Sequence, residues 1–227
     1  MRRSRFSERP ITDFRLSIVH RVVQAHILED VAQTWRATEK ARTRQKYLDA
    51  AVRLFARRGF HAVSIDELGS AVGLSGPALY RHFPGKEAML GEILVSTSER
   101  LLVGLEKTLE LQTPDEETLR NLVHFHLDFA MAERDIIRIQ DRELPSLPEE
   151  QNRTVRRLQN RYLDGWADVL LRLRPGLTRA DARVQMHAVF GILNSTAHNS
   201  MSDRSVDVRG ILERAAVAVL LGPVSER

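Results

Sequence analysis

Residues 75–86 hold a dense group of side chains that suit contacts with a polyanion. Ser75, Tyr80, Arg81 and His82 carry hydroxyl, guanidinium and imidazole groups, which donate hydrogen bonds to phosphate oxygens and to base edges. Lys86 stands at the predicted start of a helix, where its ammonium and the free backbone amides would together attract a phosphate. These residues predict binding to duplex nucleic acid rather than the making or breaking of a covalent bond.

The chain lacks the sequence patterns by which common enzyme classes are recognised. It has no cysteine, which excludes disulfides, a thiolate nucleophile and thiolate zinc ligands. It has no serine-histidine-aspartate signature, no Walker loop and no dinucleotide-binding fingerprint. We therefore predict no enzymatic activity and no cofactor, and keep an all-α enzyme as the less favoured alternative.

The histidines do not predict a metal site. His124 and His126 are two residues apart and lie on different faces of a predicted helix. His187 and His198 share a helix face, but no acidic residue accompanies them on it. We interpret all four as core or interface histidines rather than metal ligands.

The side chains of residues 75–86 must be positioned by short helices that precede them. Residues 47–55 have apolar side chains at helical spacing, and Gly59 ends this first helix as a left-handed cap. Ser64 and Glu67 form a capping box at the start of a second helix, which Gly73 ends. A third helix follows directly, and the tight turn between the last two predicts a helix-turn-helix.

The third helix is predicted to begin at Ser75 and to run to about Phe83, with Leu79 and Phe83 packed inward. Its opposite face is then free to enter a major groove. That free face carries Ser75, Gly76, Ala78, Tyr80, Arg81 and His82.

Over about residues 45–95 the sequence resembles the TetR family of bacterial transcriptional regulators. The resemblance rests on five runs: Gly59-Phe60, Ser64-Ile65-Asp66-Glu67-Leu68-Gly69, Ala71-Val72-Gly73-Leu74-Ser75, Ala78-Leu79-Tyr80-Arg81-His82-Phe83 and Lys86-Glu87-Ala88-Met89-Leu90. The resemblance implies a sequence-specific, ligand-responsive repressor that binds a palindromic operator as a homodimer. Transcriptional activation and ligandless DNA binding are its alternatives.

The resemblance also implies a role for each matching position. Ser64, Tyr80, His82 and Lys86 occupy positions that contact phosphates, and Ser75, Gly76, Pro77, Ala78 and Arg81 occupy the segment presented to bases. The sequence departs from a strong base-reading pattern, because glycine, proline and alanine cannot make a bidentate base contact. Tyr80 and His82 could instead cap and pack the helix, Lys86 could be a solvated residue, and Arg81 could contact phosphate rather than guanine.

The rest of the chain reads as further amphipathic helices, so the predicted fold is all-α: a three-helix helix-turn-helix domain followed by a helical ligand-binding and dimerisation bundle. We predict that the middle helices form a pocket for a small apolar effector, with a fatty acyl-CoA as a candidate. The predicted lining is Phe125, Phe129, Tyr162, Trp166, Phe190 and Asn194. The alternative is that these side chains are ordinary core.

The resemblance places the dimer interface on the last two helices. The apolar side chains offered there are Met186, Val189, Phe190, Leu193, Ile211, Leu212, Ala215, Ala216, Val219 and Leu220. The alternative is that they belong to the core of a monomer.

Charge and composition agree with a DNA-binding protein of the cytoplasm. Residues 1–90 hold 16 Lys/Arg against 9 Asp/Glu, whereas residues 91–227 hold 18 against 21. An excess of positive charge in residues 1–90, beside a near-neutral remainder of the chain, favours a polyanionic partner. We find no signal peptide and no apolar run of membrane-spanning length, and predict no membrane association. We divide the chain into an extension of unclear role (1–37), a helix-turn-helix domain (38–85) and a C-terminal domain (86–227).

Overall fold

The structure, a computed structural model, describes the backbone of residues 12–198 and 205–222 and the side chains of residues 35–198 and 205–222. Those residues form α-helices and short 3₁₀ turns, and no strand occurs among them. The all-α prediction is confirmed. The chain divides into two compact units between Lys46 and Tyr47.

The first helix, α1, runs without interruption from Thr12 to Arg58. The predicted border between residues 37 and 38 therefore falls inside a helix. Residues 1–11 of the predicted extension lie outside the described residues. Residues 36–46 carry five Lys/Arg and one acid, Glu39, whose carboxylate lies 3.4 Å from the guanidinium of Arg42.

The helix-turn-helix is formed by α2, Ile65–Ala71, and α3, Gly76–Leu79. The predicted capping box is present, because the Ser64 hydroxyl accepts from the Glu67 amide at 3.2 Å and the Glu67 carboxylate accepts from the Ser64 amide at 2.9 Å. Gly59 and Gly73 have φ angles of +87° and +74°, so both chain reversals use the left-handed backbone that glycine favours.

The third helix is shorter than predicted. It ends at Leu79, and the chain continues to Phe83 in turns in which the amides of His82 and Phe83 both donate to the Leu79 carbonyl. Leu79 and Phe83 are buried, as predicted. Pro84 cannot continue a helix and restricts the residue before it, so the helical path stops by Phe83.

Six longer helices build the described residues that follow Gly85. They are α4, Lys86–Glu110; α5, Asp115–Ala132; α6, Arg134–Glu143; α7, Glu149–Leu173; α8, Arg179–Asn194; and α9, Val208–Leu221. α7 packs against α4, α5 and α8, and α9 packs against α5 and α8. Trp166 of α7 is fully buried at the centre of the core of this bundle.

The core beneath the helix-turn-helix extends beyond residues 38–85. Side chains of α6 and the start of α7, including Ile136, Ile139 and Val155, belong to the same buried cluster as Phe55 and Leu79. The reading helices are thus held by helices that lie more than fifty residues further along the chain.

Candidate nucleic-acid interface and effector cavity

The exposed face of α3 and the turn after it presents Pro77, Tyr80 and Arg81. Their spacing of three and four residues places them on one side of the helical path, opposite Leu79 and Phe83. Tyr80 is 58% exposed although it is a large aromatic residue. An aromatic ring with a phenol and a guanidinium on one exposed face can contact both backbone and bases of a duplex.

Gly76, predicted to face the bases, is instead buried against α2. A Cβ at Gly76 would lie 2.0 Å from Oδ1 and 3.1 Å from Cα of Asp66. A Cβ at Gly69 would lie 2.7 Å from the backbone nitrogen of Gly76. The two glycines let α2 and α3 approach each other closely, so Gly76 sets the geometry of the reading helix rather than offering a contact.

His82 and Ala78 are half-buried, whereas Ser64 and Ser75 are exposed. The imidazole of His82 lies 5.6 Å from the ring of Tyr47, centroid to centroid. His82 therefore has a packing role besides any phosphate contact. Ser75 precedes α3 in extended backbone and makes no capping hydrogen bond through its hydroxyl.

Lys86 is engaged within the protein. Its ammonium donates to the carbonyls of Phe60 and Val63 at 3.0 Å and to that of His61 at 3.4 Å, and it lies 4.6 Å from the centre of the Phe60 ring. The side chain ties the loop between α1 and α2 to the start of α4. Sequence reasoning missed this role because the acceptors are main-chain carbonyls.

Arg142 and Glu143, at the end of α6, bind the end of α1. The Arg142 guanidinium donates to the carbonyls of Phe55 and Ala56, and it is paired with the Glu143 carboxylate. That carboxylate, 4% exposed, also accepts from the Phe60 amide at 3.1 Å. A cation on the last carbonyls of a helix is favourable because the macrodipole is negative there. We call these two residues the α6 latch.

A cavity of about 330 Å³ lies inside the C-terminal bundle. Its apolar lining is Leu101, Leu163 and Phe190 with the ring of Tyr162. Its polar lining is Ser98, His126, Gln140, Arg156, Gln159, Asn160, His187 and Asn194. Of the predicted ligand residues, Tyr162, Phe190 and Asn194 line the cavity.

The other three predicted ligand residues lie behind or beside the lining. Trp166 is fully buried and packs edge-on against Phe190, with ring centroids 5.2 Å apart. Phe129 packs against His126 at 5.7 Å, and Phe125 fills the space beside Gly104. Helical spacing alone could not separate side chains that face the cavity from side chains that pack behind it.

His126, which sequence reasoning assigned to the core, lines the cavity. Its Nε2–H donates to Oδ1 of Asn194 at 3.0 Å, and its Nδ1 accepts from the Tyr162 hydroxyl at 3.1 Å. Burial lowers the pKa of His126 to about 4, although the Asn194 hydrogen bond opposes the shift, and burial raises the pKa of Tyr162. The pair is therefore neutral at pH 7.

The outer face of α8 and α9 carries exposed apolar side chains. Val184 is 68% and Ile211 is 47% exposed, and Ala188 and Gly191 are exposed on the same helix as Val184. By contrast, half of the side chains that the sequence offered for a dimer interface are fully buried in the core of the chain itself: Met186, Val189, Leu193, Ala216 and Leu220.

Two family models match the chain. The model of the bacterial regulatory proteins of the tetR family matches residues 48–93, the segment that holds α2, α3 and the start of α4. The model of the tetracyclin repressor-like C-terminal domain matches residues 112–198, which include most of the cavity lining. The chain belongs to the TetR family. Membership extends the resemblance beyond residue 95, where the sequence showed only a similar size and helical layout.

The chain is similar to curated HTH-type transcriptional regulators of opposite regulatory sign. The transcriptional activator FasR of Mycolicibacterium smegmatis is 34% identical over 86 residues, which are 38% of this chain and 39% of FasR. The transcriptional repressor KstR2 of Rhodococcus jostii is 28% identical over 160 residues, which are 70% of this chain and 78% of KstR2. The match to FasR thus spans less than two thirds of that relative. Both are regulators of transcription, in agreement with the prediction that the chain is not an enzyme.

Two solved structures of bacterial DNA-binding proteins share the fold. A regulator from Bordetella parapertussis superposes with a TM-score of 0.72 at 28% identity, covering 79% of this chain and 94% of that one. AibR, solved with isovaleryl coenzyme A and operator DNA, superposes with a TM-score of 0.69 at 19% identity and covers 80% of this chain and 100% of AibR. This second likeness shows the fold.

Two absences concern the described part of the chain. None of its helices is both long and apolar enough to cross a bilayer. No group of three or more His, Asp or Glu side chains within it could hold a metal ion.

Proposed function

We propose that the chain is a dimeric transcriptional repressor of the bacterial cytoplasm, whose affinity for a palindromic operator depends on a small effector in the C-terminal cavity. The observation that carries the proposal is the exposed face of Pro77, Tyr80 and Arg81 within a TetR-type helix-turn-helix. Repression is favoured over activation because the match to the repressor KstR2 spans 70% of the chain, whereas the match to the activator FasR spans 38%.

The reading surface combines few base-reading groups with several phosphate-facing ones. Arg81 is the one cation on the exposed face of residues 75–83, so direct readout of a guanine would depend on it. Tyr80, Ser64 and Ser75 are exposed hydroxyls suited to phosphates. We infer that part of the specificity comes from the shape of the operator, because Pro77 and Ala78 have no polar side chain.

Helix α6 connects the cavity to the helix-turn-helix, and this connection supports a response to an effector. Gln140 of α6 lines the cavity, and the α6 latch, one turn later, binds the end of α1. An effector that shifts α6 would therefore move the helix on which α2 and α3 are packed. Two arrangements of α6 with different affinity for the effector would shift the population of DNA-binding chains. AibR provides an example of this fold with a coenzyme A thioester and DNA bound, and an acyl compound is the effector type that we favour.

Two copies are needed to read a palindrome, and we propose that α8 and α9 join them. Val184 and Ile211 are the large apolar side chains exposed on these helices, and the open space beside Gly191 permits close approach of a second backbone. In a two-fold dimer the same face is buried on both partners. The double variant V184E/I211E should be monomeric in sedimentation velocity while it keeps its helical circular dichroism. A wild-type chain that is monomeric at all concentrations would contradict the dimer.

DNA binding is tested with an operator selected from random duplexes by the purified protein. Affinity should fall with rising salt, because phosphate contacts release counterions. Arg81→Ala should weaken operator binding by about 1–3 kcal/mol and relax the base preference at one position of each half-site. Arg153→Ala, an exposed arginine on α7, is the matched control and should bind as the wild type does. Lys86→Ala is a poorer test, since it also frees the loop carbonyls. Failure to select any sequence would refute the proposal.

A further inference from the structure

The cavity lining is rich in donors and has no carboxylate. Its twelve residues include one arginine and two histidines but neither Asp nor Glu. His126 is held neutral by burial, with both ring nitrogens in hydrogen bonds. The side chain that brings a permanent positive charge to the cavity is therefore Arg156.

Both asparagine side-chain oxygens of the polar lining already receive a hydrogen bond from the protein. Oδ1 of Asn194 accepts from His126, and Oδ1 of Asn160 accepts from Arg183 at 2.9 Å. The Ser98 hydroxyl donates to the Leu94 carbonyl at 2.8 Å. These contacts orient the two asparagines so that each keeps its amide N–H groups for another partner.

Gln159 and Arg156 add two further donors that lack a protein acceptor. Nε2 of Gln159 is buried and has no hydrogen-bond partner among the described residues. The Nε of Arg156 donates to Oδ1 of Asn152 at 2.7 Å. Arg156 has no carboxylate partner among the described residues, so its terminal nitrogens can donate to a ligand. A buried donor without an acceptor costs free energy that a ligand oxygen would recover. The two residues are three apart on α7 and thus lie on one face of the helix.

We propose that the cavity binds a negatively charged acyl compound, whose acyl oxygen accepts from the Gln159 amide and whose negative charge pairs with Arg156. Its apolar chain packs against Leu101, Leu163 and Phe190. The inference rests on the proposed function in that it names the class of the effector. A free carboxylate supplies the oxygen and the charge in one group, whereas a coenzyme A thioester supplies the oxygen at its carbonyl and the charge at its phosphates.

The volume of the cavity limits the acyl part. At about 330 Å³ it is at the small end of ligand pockets, so it holds a medium-length or branched chain rather than a long one. Arg156 is exposed, as expected for a group at the mouth of the cavity, whereas Gln159 is half-buried. This gradient places the charge toward solvent and the chain toward Phe190.

The test uses the full chain and three probes of one length: octanoate, octanoyl-CoA and octanol. Trp166 reports binding, because its ring packs against Phe190 and Tyr162 of the lining, and the variant W35F removes the other tryptophan. We expect octanoate or octanoyl-CoA to change the Trp166 emission at concentrations at least ten-fold below octanol. The charged probe that binds more tightly identifies the source of the charge. Octanol binding as tightly as both would overturn the proposal.

Two variants assign the contacts. Gln159→Leu removes the donor at similar size, and Arg156→Gln removes the charge. Each should weaken binding of the charged probe by about ten-fold, the effect of losing one hydrogen bond to a charged group, and leave octanol binding unchanged. Arg157→Gln, an exposed neighbour outside the lining, is the control. Equal effects of Arg156→Gln and Arg157→Gln would overturn the role of Arg156.

The outcome is independent of DNA binding. A chain that selects an operator but binds neither charged probe leaves the regulator intact and refutes the effector class. A chain that binds octanoate but selects no DNA sequence supports the effector class and refutes the proposed DNA binding.

Discussion

The reading surface and the cavity are built in opposite ways. The exposed contacts of the reading surface come from residues 64–81, and its caps and turns are set by short-range interactions such as the Ser64–Glu67 capping box, while α6 and α7 complete the core beneath it. The cavity takes side chains from α4, α5, α6, α7 and α8, and its central network joins His126 to residues 36 and 68 positions away in the chain. A local surface can thus be recognised from a short motif, whereas a shared cavity depends on how five helices pack.

The largest expected effect is a loss of stability in acid that arises at the cavity. The buried, neutral His126 predicts that the free energy of unfolding decreases in acid. The unfolded chain binds a proton at this histidine near pH 6.5, whereas the folded chain binds it only near the lowered pKa of about 4. The stability that the neutral histidine retains above pH 6.5 is lost as the pH falls toward 4, up to about 3 kcal/mol. Urea unfolding at pH 7 and pH 4.5 should show this loss in the wild type.

The difference between variants isolates His126 from the other histidines. His126→Gln should lose less stability between the two pH values than the wild type, whatever its stability at pH 7. His61→Gln, an exposed histidine whose ring lies 3.1 Å from the Ser146 hydroxyl, is the control and should behave as the wild type does. Parallel losses in the wild type and His126→Gln would show that His126 does not titrate as its burial predicts.

The second effect is a steric disruption of the contact between α2 and α3. Gly69→Ala places a Cβ 2.7 Å from backbone atoms at the start of α3, so α2 and α3 must separate. Overpacking of this kind costs about 2 kcal/mol, measured by urea unfolding, and operator binding should fall more than ten-fold. Gly176→Ala, where nothing lies within 4 Å of the added atom, is the control. Probe binding in the cavity should survive Gly69→Ala, because Gly69 is outside the cavity lining, and its loss would show that the substitution disturbs more than the contact of α2 with α3.

The smallest effect concerns the capping box, where Ser64 contributes to stability and is a candidate for a phosphate contact. Ser64→Ala removes the acceptor for the Glu67 amide and should lower the free energy of unfolding by about 1 kcal/mol. Ser64→Thr keeps the acceptor and should be near neutral. If the Ser64 hydroxyl also contacts phosphate, Ser64→Ala weakens operator binding beyond the effect of the threonine variant. Equal DNA affinities would limit Ser64 to the cap.

The sequence predicted the local part of the fold well because its signals are chemical and short-range. The helix-ending glycines Gly59 and Gly73, the capping box at Ser64, and the inward Leu79 and Phe83 all occur where expected. The length of α3 was wrong by one turn, and Gly76 was assigned to the bases. Both errors concern packing: helical spacing does not reveal that α2 lies close enough to bury a glycine.

The sequence could not distinguish the cavity from the core. Trp166 and Tyr162 lie on the same stripe of α7, yet Tyr162 lines the cavity and Trp166 packs behind it. The α6 latch was also unpredictable, because Arg142 and Glu143 bind main-chain groups of residues 55–60, more than eighty positions earlier. Spacing along one helix carries no information about a backbone carbonyl on another.

The amino-acid sequence by itself determined the helical content, the position of the helix-turn-helix and the family, because caps, glycines and apolar periodicity act over a few residues. The tertiary structure decided which polar groups share the cavity, which apolar residues of α8 and α9 face outward, and how α6 holds α1. These depend on the packing of helices that are distant in the chain, where the position of a side chain is set by its neighbours in space rather than in sequence.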